Sequence, residues 1–408
     1  MNYLNVRLVK SAVAGVLAGW LLASCSSGYS LAGVEGGRVA ITDVYDRKPD
    51  AEALNILKPY QQKVDSIMSP IIGHSAKNLT AYRPESPLSN LMADVLRQAA
   101  VRAIGKPADV AVMNMGGIRN AMPEGEITFG TVYEIAPFEN ALCVLTMDGA
   151  TLKELFGQIA SVHGEGISGA ALKIDGEGNL LEAKVNGRQI DAKKTYTVAT
   201  IDYLAEGNDK MEAFRRASSK IFPKDALLRN LLLDYVKQCE QERTFVTSQA
   251  EGRIKSKCVQ LKNRKEMKKI YCLCLACLLV SVVAAQSVKE LYIFHTNDMH
   301  SRIEPFASYF PDTVLAGKAG VLRRAAFVKE QRREHKDMLL FDSGDFSQGS
   351  PYYNLFKGEV EIKMMNEMGY DAGTIGNHEF DFGLDNMARL FKMANFPIVC
   401  ANYDVTGT

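Results

Sequence analysis

The chain has almost no net charge: 48 Lys and Arg against 47 Asp and Glu leave a formal +1 at pH 7. That balance lacks the basic footprint of a nucleic-acid binder, so no nucleic-acid partner is expected. Cysteine supplies no metal framework either. Cys25, Cys272, Cys274 and Cys277 lie in apolar, targeting-like stretches and Cys258 in a basic one, leaving Cys143, Cys239 and Cys400 in folded regions. Cys274 and Cys277 have zinc-like spacing but sit inside a hydrophobic run with no second pair on a turn. That excludes a structural zinc, and no disulfide framework is expected. The apolar run Ile270–Ala285 falls short of the roughly 20 residues that span a bilayer. Otherwise, 47% hydrophobic and 23% charged residues are ordinary for a soluble globular chain, and 408 residues suggest two or three domains.

What the chain does have is a trio of polar blocks between residues 298 and 381. They read Asp298-Met299-His300, Gly344-Asp345-Phe346-Ser347-Gln348-Gly349-Ser350-Pro351 and Gly376-Asn377-His378-Glu379-Phe380-Asp381. Each follows a short apolar run (Leu291–Phe294, Met338–Phe341, Ala372–Ile375), and helical periodicity separates them. The order predicts strands at 291–297, 338–343 and 372–376, helices at 320–334, 359–368 and 384–393, and a further strand at 397–401. Carboxylate, amide and imidazole groups then gather at the carboxyl ends of neighbouring strands, where open α/β sheets bind ligands. Such a cluster can hold divalent metals and present phosphate oxygens to them.

These blocks resemble the calcineurin-like metallophosphoesterases, and within them the 5'-nucleotidase family. The resemblance implies two divalent metal ions (Zn, Mn, Mg or Ca). Asp298 and His300 would ligate one, Asn377 the second, and Asp345 would bridge them. It implies that His378, oriented by Asp381, stabilises charge on the phosphoryl group and the leaving oxygen.

Upstream, Ala51–Met68 has helical apolar spacing, with Pro59 expected to kink or start the helix. Ser89–Arg102 reads as a second amphipathic helix and Val110–Met113 as a buried strand. The strand runs into Asn114-Met115-Gly116-Gly117-Ile118-Arg119, where glycines admit a close backbone approach and Arg offers a planar fork to an anion. With Glu85-Ser86-Pro87, Ala136-Pro137-Phe138-Glu139-Asn140, Tyr203 through Asp209 and a closing strand at 250–254, this set resembles the C-terminal, nucleoside-selecting domain of 5'-nucleotidases. The resemblance implies that Phe138 and Tyr203 sandwich the base, that Asn140 and Asp209 hydrogen-bond base and ribose, and that Arg119 helps hold the ligand. Tyr203 stands where Phe is common in the family, and Asn208 where its last motif has Gly. Arg83 lies near a family arginine position without matching it.

The N-terminus carries Arg7 and Lys10, then an apolar run ending Leu22-Ala23-Ser24-Cys25. This resembles a lipoprotein signal with Cys25 as the lipidated residue. A second signal-like start, Met267-Lys268-Lys269 before Ile270–Ala285, follows a basic stretch and suggests two joined coding frames; an internal membrane anchor is the alternative.

The expected fold class is α/β. A signal at 1–25 precedes a nucleoside-selecting α/β domain (45–255), a basic linker with a hydrophobic segment (256–287), and an incomplete βαβαβ metallophosphoesterase domain (288–408). The order reverses the family's usual one. The family's later Gly-His-x-His ligands have no counterpart before Thr408, so weak metal binding and little activity are expected, with an unpaired apolar sheet edge. Among the six His, His295 should point away from the site, and His74, His163 and His335 lie elsewhere. The expected function is exported, metal-dependent hydrolysis of nucleoside 5'-monophosphates in a bacterial cell envelope. Nucleotides or nucleosides are the partners, with membrane contact through the N-terminal lipid and 270–285 as a second candidate. The alternatives are a phosphodiesterase or UDP-sugar hydrolase of the same superfamily, and a non-catalytic nucleoside-binding lipoprotein.

Overall fold

Three short parallel strands, Ile293–Thr296, Leu339–Asp342 and Ala372–Gly373, lie side by side in chain order. The helices Val321–Glu334 and Glu359–Met368 connect them, giving the expected βαβαβ succession. The computed structural model describes residues 31–256 and 289–403, apart from positions 309 and 311. Cys25, the two signal-like segments and the basic linker lie outside the described residues. Residues 31–39 and 289–290 fall in a separate unit and are exposed. Everything below concerns the other unit, which holds both polar-motif regions.

The fold is mixed α/β throughout. In its first half a five-stranded sheet has the order Ser219–Ile221, Leu142–Asp148, Thr195–Ile201, Val110–Met113, Gly166–Ser168. Only the Val110–Met113 and Thr195–Ile201 pair is parallel. The Val110–Met113 strand is buried at every position, as its continuous apolar run requires. The helix Pro87–Ala99 begins two residues before the expected start. Ser86 and Ser89 form a reciprocal cap, and Pro87 suits a first turn that needs no N–H. The segment expected to close this half pairs slightly later, as Ile254–Ser256 in a separate four-stranded sheet. Glu85 accepts the N–H groups of Glu251, Gly252 and Ile254 and ties that segment to the Pro87 helix.

The helix Ala51–Met68 differs from expectation twice. It runs unbroken through Pro59, which is exposed, so the carbonyl the missing N–H leaves unpaired faces water. It also buries its apolar face against the second half: Ala53, Leu57, Val64 and Met68 share a buried cluster with Val321, Leu340, Ile362 and Met365, and Tyr133 of the first half packs against it. Asp50 caps this helix through the N–H groups of Glu52 and Ala53 and pairs with Lys329. The buried face of this helix thus joins the same hydrophobic cluster as the strands and helices of residues 321–396. A helix shows its apolar stripe in the sequence but not the surface the stripe will meet.

At the far side of the three-stranded sheet, the strand expected at 397–401 is reduced to one parallel bridge between Gly373 and Ile398. Its neighbour Ala372–Gly373 is only two residues long. The opposite edge strand leaves Ile293 56% exposed, and Leu291 just before it is 57% exposed.

Candidate active site

Two loops leave the parallel strands and lock together by backbone alone. Asp298 N–H donates to Gly344 O (3.0 Å), His300 N–H to Asp345 O (2.9 Å) and Ser301 N–H to Phe346 O (2.9 Å). A third loop closes on them through His378 N–H, which donates to Asp345 Oδ1 at 3.0 Å. The approach is close enough to require glycine: a Cβ on Gly376 would stand 2.0 Å from Asp345 Oδ1, and one on Gly344 2.6 Å from Gly376 N. Asp298, His300, Ser301, Asp345 and Gln348 all have positive φ, between 44° and 62°. Left-handed non-glycine residues cost on the order of 1 kcal/mol or more each and persist where the surroundings over-determine them, typically at functional sites.

Glu379 is the residue that makes this crossing possible. It is fully buried, and its carboxylate accepts the N–H groups of Asp345 (3.1 Å), Ser347 (3.1 Å) and Gly376 (2.6 Å). Burial raises its pKa against the pull of those three donors. Neither Glu379 nor Gln348 is assigned a role by sequence reasoning, although both stand inside the quoted blocks.

Asp298, His300 and Asp345 each present a ligand atom, all within 4.8 Å of one another. The donor set fits a divalent cation. His300 Nδ1 is buried without a hydrogen-bond partner among the described residues. Burial, reinforced by the positive charges of Arg119 and His378, pushes the His300 pKa down to about 4. The ring is thus neutral, with one nitrogen's lone pair free for a metal. Asn377 stands exposed at the start of the His378 turn, one residue from the contact with Asp345. His295 is exposed and outside the cluster, and His335 stacks on Tyr292.

His378 meets its expected partner: Nδ1 lies 2.9 Å from Asp381 Oδ2. Burial alone would lower the His378 pKa. The hydrogen bond and charge of Asp381, with Asp345 and Glu379, outweigh it, and the net shift is upward. The His300 and His378 rings face each other edge to face, 5.2 Å between centroids.

The first half of the chain reaches this same place. Phe138 stacks on the His378 ring at 5.6 Å with 19° between planes. The Arg119 guanidinium lies 5.8 Å from the Phe138 centroid, partly desolvated, with its pKa lowered by burial. The Phe138 loop is held from both sides. Pro137 O accepts from the buried Arg229 (2.9 Å) and from Asn354 (3.3 Å), the latter on the helix that follows the Asp345 loop. Tyr203 is 44% exposed and its hydroxyl donates to Asp209 Oδ1 at 2.9 Å. Asp209 Oδ2 accepts from Asn114 at 2.6 Å, so this carboxylate already has two partners. The Asn140 carbonyl pairs with Leu228 N–H, which leaves its side chain two residues beyond Phe138 on the same loop. Arg83 pairs with the buried Glu165, which also accepts Met115 N–H, so Arg83 braces the Gly116-Gly117 turn.

Beside the His300 loop, Glu361 is buried against Ser301, whose hydroxyl donates to it, while its second oxygen has no partner among the described residues. Burial pushes its pKa from 4.5 to about 7, opposed by the Ser301 hydrogen bond. A folded pKa above the unfolded one stabilises the fold at low pH, and that contribution is lost as pH rises through 7. The loss is roughly 3 kcal/mol between pH 4 and 8. Glu361→Gln is therefore expected to match the wild type in urea unfolding at pH 4 and to exceed it at pH 8. Equal stability at both pH values would contradict this account of Glu361.

Residues 71–216 match the 5'-nucleotidase C-terminal domain, and residues 291–404 match the calcineurin-like phosphoesterase family. A snake venom 5'-nucleotidase from Crotalus adamanteus is 43% identical over 136 residues, 32% of this chain and 22% of that protein. A 2',3'-cyclic-nucleotide 2'-phosphodiesterase/3'-nucleotidase from Haemophilus influenzae is 36% identical over 136 residues, 31% of this chain and 20% of that protein. Among solved structures, a 5'-nucleotidase precursor from Thermus thermophilus aligns at a TM-score of 0.44 with 26% identity, covering 49% of this chain and 42% of that one. The matched stretch thus spans about a fifth of the length of the sequence relatives.

Proposed function

We propose that this chain, whose residues 71–216 match the 5'-nucleotidase C-terminal domain and whose residues 291–404 match the calcineurin-like phosphoesterase family, hydrolyses nucleoside 5'-monophosphates to nucleoside and phosphate. The observation that carries the reading is the stack of Phe138 on His378. It brings a base-binding ring from one core onto the phosphoryl-handling imidazole of the other.

In this reading Asp298 and His300 would hold one divalent ion and Asn377 a second, with the Asp345 carboxylate available as a ligand. A metal pair, when bound, supplies positive charge to the phosphoryl oxygens and acidifies a water. The chain's own residues do the rest. Arg119 adds positive charge at the phosphate while remaining anchored by its own backbone N–H to Ile135 O at 2.9 Å. Asp381 keeps the His378 proton on Nδ1, so Nε2 is the nitrogen that meets phosphoryl and leaving oxygens. When His378 is protonated at both nitrogens, it donates the Nε2 proton to the departing 5'-oxygen and is left neutral. Phe138 and Tyr203 give two aromatic faces for the base. Asn140 and Asp209 supply polar contacts, with Asp209 first exchanging its present partners Tyr203 and Asn114.

Base stacking sets the expected size of the effect. Phe138→Ala and Tyr203→Ala are each expected to weaken adenosine binding by roughly 1–3 kcal/mol, read by calorimetry with adenosine and by KM for AMP. Unchanged affinity in both variants would remove the nucleoside-selecting role. The activity for which the Haemophilus influenzae relative is named supports a second reading, a phosphodiesterase acting on cyclic nucleotides. Product analysis on AMP, a 2',3'-cyclic nucleotide and a UDP-sugar separates the two.

The reading extends to place as well as chemistry. We propose export to the bacterial envelope and lipidation at Cys25, checked by mass spectrometry of the mature N-terminus. Among the described residues no helix is long and apolar enough to cross a membrane.

A further inference from the structure

We propose that Gln348 is the positioning residue of the His378–Asp381 pair, holding the Asp381 carboxylate at the angle that keeps His378 aimed at the leaving oxygen. The proposal rests on the reading of His378 given above and adds a residue to it.

Gln348 is 2% exposed and sits at φ 62° in the left-handed region. Its amide orientation follows from its partners. Oε1 accepts the N–H of Gly349 at 3.0 Å, and Nε2 donates to Asp381 Oδ2 at 2.9 Å. The flipped amide would set oxygen against carboxylate and NH2 against N–H, losing both bonds. Asp381 Oδ2 is the same oxygen that His378 Nδ1 meets. One carboxylate oxygen is therefore fixed between two donors, and rotating Asp381 would break both contacts.

The anchor behind Gln348 is rigid. Gly349 has φ 123°, and a Cβ there would stand 2.5 Å from His300 O. Gly349 thus lies directly on the backbone of the His300 loop. The strained turn directs the Gln348 side chain inward, and a continuous path runs from the His300 backbone through Gly349, Gln348 and Asp381 to His378. Through it, the spacing between the His300 loop and the imidazole is set by close backbone packing at Gly349 and by the hydrogen bonds of Gln348 and Asp381.

A residue that acts through His378 should matter in proportion to how much the leaving group needs help. The 5'-alkoxide of AMP needs a proton; p-nitrophenolate does not. In Gln348→Ala the turnover on AMP is expected to fall roughly 10- to 100-fold, with KM unchanged and p-nitrophenyl phosphate turnover lowered only about two- to threefold. Gln348→Glu preserves volume while replacing the donor by a second carboxylate, and it is expected to show the same contrast between esters. An equal loss on both esters in both variants would overturn the proposal, since a scaffold role damages both alike.

A readout free of activity keeps this separate from the phosphoesterase reading. The chain has six histidines, so ¹⁵N-histidine spectra are simple, and the His378 signals are those missing in His378→Ala. The wild type is expected to show one tautomer, protonated at Nδ1, and Gln348→Glu a mixture of the two. A wild type that releases phosphate from neither ester would count against the activity alone. An unchanged His378 tautomer in Gln348→Glu would overturn the positioning role.

Discussion

Replacing His378 by Ala is expected to lower phosphate release from AMP by roughly 10²- to 10⁴-fold, the usual contribution of a positioned proton donor. The ring has little else to do structurally. It is partly exposed, it bonds Asp381 through Nδ1, and it stacks against Phe138. The loop is held by backbone contacts instead, through His378 N–H on Asp345 and Gly376 N–H on Glu379. Ala keeps those contacts, so thermal unfolding and metal affinity should change little while turnover collapses. Release within about threefold of the wild type would place the chemistry on another residue.

Glu379→Ala is expected to produce the opposite pattern. Removing the carboxylate leaves the N–H groups of Asp345, Ser347 and Gly376 without their acceptor in a buried site. Unsatisfied buried donors cost roughly 1–3 kcal/mol each, and relaxation recovers part of that, so the expected loss of stability is about 3 kcal/mol or more. Urea denaturation checks it through the midpoint. Metal affinity should fall with it, roughly 10- to 100-fold, because Asp345 loses the bond that fixes its left-handed backbone. Glu379→Gln retains one acceptor oxygen and should lie between the two. An unchanged midpoint in Glu379→Ala would mean that the crossing of the loops is held by glycine packing alone.

These effects trace to features of unequal visibility in the sequence. The helix Glu359–Met368 and the strand Val110–Met113 occur with the expected limits. Each is an apolar pattern bounded by glycine or a turn, so local chemistry suffices. The polar blocks were legible for the same reason: each follows a strand-like run, and strand ends are where such residues converge. The short helix Pro351–Phe356 was missed, although Ser350-Pro351 is a cap followed by a first-turn proline.

What could not be read was anything set by tertiary meeting. Phe138 and His378 are 240 positions apart, and no local pattern pairs them. The stripe of Ala51–Met68 would serve either core equally well. The left-handed backbones of Asp298, His300, Asp345 and Gln348 are invisible because these residues normally avoid that region. Glu379 reads as an ordinary surface acid until three amides from two loops surround it.

The most direct test of the account starts from chain stripped of metal with EDTA, returned to Mn²⁺ or Zn²⁺, and assayed for phosphate release from AMP while metal binding is followed by calorimetry. The account predicts no release from the stripped chain, release on adding metal, and loss of both binding and release in Asp345→Ala. Metal bound tightly at Asp298, His300 and Asp345 with no phosphate released from AMP would contradict it.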